Sequence, residues 1–310
     1  MTAAESRAAE GRVAEGRAGD ARADGTLVLV CWGVRGSVPS PGPATARYGG
    51  NTPCAELRAP DGRRLLLDAG TGMRPLGAAW GPGPDVPEAE VDVLVSHAHG
   101  DHLHGLGFFA PFVAGRAQLT LHTPVHQVAA VEEGVRAILG PPLFPSIDGL
   151  LSRVRVRALP PGETTRVAGF DVRPIEAAHP GGAAGFRITD PDAGGALVYV
   201  PDNELAAVEE GGGWRAMLDE VAGADLLVHD ATYLPAELAR HRGWGHSSYA
   251  EAVRLASEGG VGRLLLHHHH PSRDDGAVDR LLGVARALGE AARPEVEVLA
   301  AVEGEEVRVA

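Results

Sequence analysis

Short apolar runs that end in a polar residue recur along the chain, and they set its predicted elements. Val91-Asp92-Val93-Leu94-Val95 reads as a buried strand, and runs directly into the polar stretch Ser96 to Gly105. Before it, strands are predicted over 26–32, 54–59 and 64–68, with Asp61-Gly62 as the hairpin turn between the last two. The apolar stretch 106–113 is expected to begin as a helix carrying Asp101 and His102 and to stop near Pro111. A strand follows at 119–122. Helical spacing covers 125–139 until Gly140-Pro141-Pro142-Leu143-Phe144-Pro145 breaks it. Strands then read at 154–159, 164–167, 170–177, 185–189 and 196–200. In the last third, helices at 214–221, 247–257 (capped by Ser247 or Ser248) and 274–291 alternate with strands 226–228 and 263–266. A terminal strand pair is expected near 296–309. Such a mixture predicts an α/β architecture of two packed sheets with helices outside.

Residues 1–25 fall outside this pattern. They form a low-complexity run of Ala, Gly, Arg and Glu, too poor in large apolar groups to offset ordering entropy, and read as a disordered tail ahead of a domain over 26–310. The 310-residue chain is 44% hydrophobic, enough for a sizeable core. A net charge of -13 argues against a general nucleic-acid-binding surface and makes extended nucleic acid a poor partner; small anions suit a local metal site better. Cys31 and Cys54 imply no disulfide framework and are expected as buried free thiols. With no membrane-length apolar run and no signal-peptide core, the cytoplasm is the expected location. The oligomeric state is open, and a homodimer is compatible with the sequence.

The chemistry concentrates at the end of the 91–95 strand. Four histidines and an aspartate lie within the ten residues 96–105. Imidazole nitrogen and carboxylate oxygen are ligands that zinc accepts, and a strand end in an open α/β sheet is where sites form. In His97-x-His99-x-Asp101-His102 the first two rings can point to one side of an extended backbone, and Asp101 and His102 follow on the next turn. One ion cannot comfortably take all four, so two adjacent metals sharing a bridging ligand are expected. His104 is left for the surface or an outer position. Four later runs repeat the grammar: Ile175 to His179, Leu197 to Asp202, Leu226 to Asp230 and Leu264 to His268.

This pattern resembles the metallo-β-lactamase superfamily, and Ser-His-Ala-His-Gly-Asp-His is similar to the ribonuclease Z version of its motif. Further matches are Trp32-Gly33-Val34-Arg35-Gly36-Ser37, Arg47 to Thr52, His179-Pro180-Gly181-Gly182, Gly245-His246-Ser247-Ser248 and His268-His269-His270-Pro271. They resemble a branch related to ribonuclease Z and to the phosphoribosyl cyclic-phosphate phosphodiesterases. The resemblance implies a four-layer αββα fold over residues 26 to about 309. It also implies one metal held by His97, His99 and His179, a second by Asp101, His102 and His268, and Asp202 as the bridge. The position of the last ligand is open among His267, His268 and His269, with His268 preferred because the family's ligand follows its strand by one spacer. Asp68 is expected to orient a metal-binding histidine. His246 matches the histidine of the ribonuclease Z His-Ser-Thr segment, and Asp230 its acidic partner, so that Asp101, His246 and Asp230 form the implied catalytic set.

The implied activity is a metal-dependent hydrolase. Two divalent ions, zinc first and manganese or iron as alternatives, would generate a metal-bound hydroxide near neutral pH that attacks phosphorus in a small, cyclic phosphodiester. The Asp230–His246 pair would protonate the leaving oxygen. Cysteine-ligand β-lactamase activity is disfavoured, because no cysteine follows Cys54. Transfer-RNA 3′ processing of the ribonuclease Z type comes second, since the insert 125–157 is short and not strongly basic. A lactone or thioester hydrolase would use the same metals but give the Asp230–His246 pair less to do.

Overall fold

The computed structural model describes residues 25–81, 89–145, 147 and 149–309. Residues 1–24, on which the tail expectation falls, lie outside them. Among the described residues the strands form two seven-stranded sheets. The first contains β1 (Val28–Gly33), β2 (Cys54–Arg58), β3 (Arg64–Leu67), β4 (Ala89–Leu94), β5 (Ala117–Pro124) and β6 (Val154–Leu159). The second contains β7 (Thr165–Val167), β8 (Phe170–Ala177), β9 (Ala183–Thr189), β10 (Ala196–Val200), β11 (Leu226–Asp230), β12 (Arg263–His267) and β13 (Glu297–Ala300), while β14 (Glu306–Arg308) returns to the first. Each sheet is antiparallel on one side and parallel on the other: β3 to β6 and β10 to β13 are the parallel halves.

Three apolar layers hold the sheets and helices together. Between the sheets, Leu57, Leu65 and Leu67 meet Phe170, Phe186, Leu197, Leu226 and Leu265. Leu264 and Leu266 point the other way, into a layer shared with Leu205, Met217, Val253 and Leu282. That is why Leu264-Leu265-Leu266 is apolar at every position: a parallel strand covered on both faces has no solvent side. On the far side of the first sheet, Leu66, Val91 and Val93 pack against Leu76, Phe112, Val131 and Val135. These residues come from α1 (Met73–Trp80), α2 (Ala110–Val113) and α3 (Val128–Leu139); the second sheet is covered by α4 (Leu205–Glu210), α5 (Trp214–Val221), α6 (Tyr249–Glu258) and α7 (Asp275–Ala291). The order of layers is αββα, as expected.

Two expectations change. No continuous helix carries Asp101 and His102: a 3-10 turn at Gly100–His102, another at Leu106–Phe108 and the single-turn α2 take its place. Gly100, Gly105, Gly107 and Pro111 interrupt any longer helix there. The terminal strands also do not pair with each other. β13 joins β12, whereas β14 crosses to β1 with Leu29 opposite Val307. Alternation shows that a segment is a strand, not which sheet receives it.

Local chemistry fixes the helix ends. Ser248 accepts the Glu251 N–H and Glu251 reaches back to the Ser248 N–H, a capping box that selects Ser248 over Ser247 as the start of α6. Asp274 caps α7 by accepting the Ala277 N–H at 2.6 Å. Cys31 and Cys54 are free and buried on neighbouring strands, and burial pushes the Cys31 thiol up to about 12. No helix among the described residues is long and apolar enough to cross a membrane.

Glu56 ties α1 to the first sheet. Its fully buried carboxylate accepts the indole N–H of Trp32 at 3.2 Å and of Trp80 at 3.0 Å, and also meets Arg58 at 2.6 Å and Arg64 at 3.2 Å. Glu56→Ala strands both indole donors, while the arginines, about a third exposed, re-solvate. The expected cost is about 2–3 kcal/mol in urea unfolding; a loss below about 0.5 kcal/mol would show that the carboxylate does not anchor α1.

Candidate metal centre

The polar strand ends gather on one side of the molecule. His97 follows β4, His179 follows β8, Asp202 follows β10, Asp230 closes β11 and His268 follows β12. β4, β10, β11 and β12 lie in the parallel parts of the sheets, and β8 runs in the same direction as β10 because both are antiparallel to β9. Within the second sheet one common direction brings these C-terminal ends to one edge, and His97 from the first sheet meets them there, 3.9 Å from Asp202, the usual place for a site in such sheets.

Asp202 is at the middle of the cluster, almost fully buried. Its Oδ2 lies 3.9 Å from His97 Nε2 and 3.8 Å from His179 Nε2. Its Oδ1 lies 3.2 Å from His102 Nε2 and 3.4 Å from His268 Nε2. Asp101 Oδ2 faces the second group, 3.4 Å from His102 Nε2 and 3.3 Å from His268 Nε2. His99 Nδ1 lies 3.1 Å from His179 Nε2. Potential ligand atoms of His97, His99 and His179 are thus within 4.8 Å of one another, as are those of Asp101, His102 and His268. Two overlapping groups also include His246, one with His179 and Asp202 and one with Asp230 and His268.

The donor set has the chemistry of a cation site. His97 Nε2, His102 Nε2 and Asp202 Oδ1 are buried and have no hydrogen-bond partner, a costly arrangement unless something electrophilic sits between them. Burial, the largest influence, holds the His97, His99 and His179 imidazoles below their ordinary range, which leaves ring nitrogens free to donate electron pairs. For His102 burial works in the same direction, but Asp101, Asp202 and Asp68 overcome it and raise the ring well above its usual range. Burial would raise the Asp202 carboxyl, yet His268, His102 and His97 hold it well below.

A further layer of contacts aims the rings. Asp68, at a left-handed φ of 57°, has Oδ2 2.9 Å from His102 Nδ1 and accepts from the Ser96 N–H at 2.8 Å and the Tyr199 hydroxyl at 2.9 Å. His179 Nδ1 donates to the Gly245 carbonyl at 2.9 Å, and His268 Nδ1 lies 2.9 Å from Thr232 Oγ1. With the δ nitrogens so engaged, the ε nitrogens of His102, His179 and His268 face Asp202. His268 itself has a φ of 57°, which turns its ring toward Asp101 and Asp202. Its neighbours go elsewhere: His267 Nε2 pairs with the Gly33 carbonyl at 3.1 Å and His269 Nε2 with the Ala301 carbonyl at 3.0 Å. Among the three candidates for that position, only His268 enters the cluster. Gly36 leaves room for it, since a Cβ there would lie 2.2 Å from the ring.

His246 Nδ1 lies 2.7 Å from Asp230 Oδ2, and its ring is 4.8 Å from that of His268. Burial lowers the imidazole, but the Asp230 carboxylate outweighs it and pushes the ring up to about 9. Thr232 Oγ1 fixes the other oxygen of Asp230 at 2.7 Å. His104 is exposed and stays out of the cluster, as expected. Residues that the sequence reading missed are Ser96, Tyr199, Asn203, Glu204, Thr232 and the Ser37 N–H, which donates to Asp101 Oδ2 at 2.7 Å. The polar run Asp202-Asn203-Glu204 was the available signal: Asn203 accepts the Ala178 N–H at 2.9 Å, next to His179. A wide apolar cavity of about 770 Å³ lined by Ile175, Ala178, Val208 and Met217 includes none of the converging histidines and aspartates.

Comparison with known proteins agrees with this geometry. Residues 63–269 match the model of the β-lactamase superfamily domain. Ribonuclease Z of Halorubrum lacusprofundi is 28% identical over 271 residues, covering 71% of this chain and 83% of that protein. Among solved structures, the metallo-β-lactamase fold protein YhfI from Bacillus subtilis superposes with a TM-score of 0.65 at 20% identity, over 91% of this chain and 98% of that one. A diphosphatase of the PhnP family gives 0.60 at 16% identity, over 91% and 96%. The chain belongs to the β-lactamase superfamily and is a metal-dependent hydrolase with the metallo-β-lactamase fold.

Proposed function

We propose that the protein is a dinuclear metal-dependent phosphodiesterase acting on a small, cyclic diester. The observation that carries this reading is the placement of Asp202, with one carboxylate oxygen toward His97 and His179 and the other toward His102 and His268. A carboxylate divided in this way suits a pair of ions that share it. His97, His99 and His179 would hold one ion, Asp101, His102 and His268 the other, and Asp202 would bridge them. Nitrogen and oxygen ligation suits zinc, with manganese or iron as alternatives. Divalent ions there would acidify a water and draw charge from a phosphoryl oxygen.

The chain's own residues supply the rest. The Ser37 N–H donates to Asp101 Oδ2 at 2.7 Å and holds that carboxylate in one orientation. His246 faces the cluster with its Nδ1 bound to Asp230, which leaves Nε2 as the atom that gives a proton to the departing sugar oxygen. Asp230 is a positioning residue: it fixes the tautomer and favours the charged ring, and Thr232 fixes Asp230. The acidic net charge favours a small diester over a long polyanion. RNA processing is the second reading, carried by the ribonuclease Z relative.

Metal-replete protein is expected to hydrolyse 2′,3′-cyclic nucleotides or cyclic sugar phosphates at least tenfold more efficiently than it trims precursor transfer RNA. The opposite order in one hydrolysis screen, with metal content measured on the same sample, would select the RNA reading; hydrolysis of lactones or thioesters alone would discard both. His246→Ala is expected to lower kcat by about 10²–10⁴ for a diester with an alkoxide leaving group. The loss should be much smaller for a p-nitrophenyl ester, whose leaving group departs unprotonated, and equal losses on the two substrates would remove His246 from the donor role.

A further inference from the structure

Three of the four tryptophans use their indole N–H groups to hold parts of the fold together. Trp32 and Trp80 donate their indole N–H groups to Glu56, and Trp214 donates to Glu258. The indole N–H of Trp244 has no acceptor among the described residues, and the side chain is 60% exposed. A single exposed apolar residue is ordinary, so what sets Trp244 apart is where its backbone and its neighbouring rings place it.

That place is set rigidly. Gly243 and Gly245 flank Trp244 with φ of 78° and 82°, a conformation that suits glycine. Glu204 accepts the N–H of Gly243 at 3.0 Å and of Gly245 at 2.9 Å, clamping both sides of the tryptophan. The Gly245 carbonyl in turn accepts from His179 Nδ1 at 2.9 Å, and a Cβ on Gly245 would lie 2.0 Å from that nitrogen. The backbone that carries the indole is thus the backbone that orients a histidine of the cluster.

A line of rings joins the indole to the site. Trp244 meets His241 edge-on with centroids 5.1 Å apart, and His241 stacks on Tyr233 at 4.3 Å and 13°. Tyr233 then meets His246 at 5.9 Å. His241 is kept from turning by its Nδ1, which donates to the Glu237 carbonyl at 2.9 Å. The line of rings therefore begins at the residue assigned to the leaving oxygen and ends at an exposed indole.

We propose that Trp244, backed by His241 and Tyr233, is a stacking wall for a nucleobase on the nucleoside part of the substrate. This rests on the phosphodiesterase reading, because it takes His246 to mark the leaving-group side. A base suits the wall on two counts. It is planar and presents π faces that an indole can stack on, and stacking of this kind tolerates any of the bases. It also brings no negative charge to an acidic chain.

The test compares 2′,3′-cyclic AMP with the base-free cyclic phosphate of glycerol, using metal-replete full-length protein. Wild type should prefer the nucleotide in kcat/KM. Trp244→Ala should reduce that preference about tenfold or more, and Trp244→Phe should restore most of it. Equilibrium dialysis of AMP against ribose 5-phosphate supplies a readout independent of turnover, in which the preference for AMP should fall by a similar factor. A wild-type preference near one, or a preference unchanged in Trp244→Ala by both measures, overturns the wall. If wild type hydrolyses neither diester while its preference for AMP still depends on Trp244, the wall stands and the phosphodiesterase reading fails.

Discussion

Burying Asp202 among imidazoles is the constraint on which the rest of the structure depends. A carboxylate removed from water is costly unless positive charge or strong hydrogen bonds surround it. Asp68, Asp101 and Asp230 are buried close by, so the cluster concentrates negative charge that the core alone would not tolerate. Each of these carboxylates has an imidazole within 3.4 Å: Asp68 and Asp202 meet His102, Asp101 meets His268, and Asp230 meets His246. Cations between the rings would complete this balance, which is the physical sense of the unpartnered His97 Nε2, His102 Nε2 and Asp202 Oδ1. The two sheets supply the rigidity. Strands of common direction end at the same level, and the apolar layers on both faces leave their ends no freedom to move apart.

Much of this was legible in the residues themselves. The dense motif at 97–102 announces its chemistry, and the rule that an apolar strand ends in a ligand-type residue also reaches His179, Asp202 and Asp230. Asp202 and Asp230 are readable because β10 and β11, buried along their whole length, have a uniform apolar signature and a sharp end, whereas β8 before His179 alternates polar and apolar residues. The choice among His267, His268 and His269 was harder. Four consecutive histidines carry no internal contrast, and the left-handed backbone at His268 that turns its ring inward leaves no trace in residue type.

Other features were illegible for related reasons. α1 contains Pro75, Gly77 and two alanines, and α4 is only six residues long, so neither shows a sustained helical period. The turns around Asp101 and His102 come from glycines, which break a helix that the apolar pattern of Leu103, Leu106 and Phe109 would otherwise favour. Glu204 and Thr232 act through backbone groups and through Asp230, and a single polar residue near a strand end looks the same whether it orients a catalytic group or faces water. Their roles exist only in three dimensions.

Anomalous diffraction from crystals of the zinc-loaded protein, collected on both sides of the zinc edge, tests the proposed centre most directly. The account predicts two peaks, one among His97, His99 and His179 and one among Asp101, His102 and His268, with Asp202 reaching both. A single peak, or a second one that Asp202 does not touch, would contradict it.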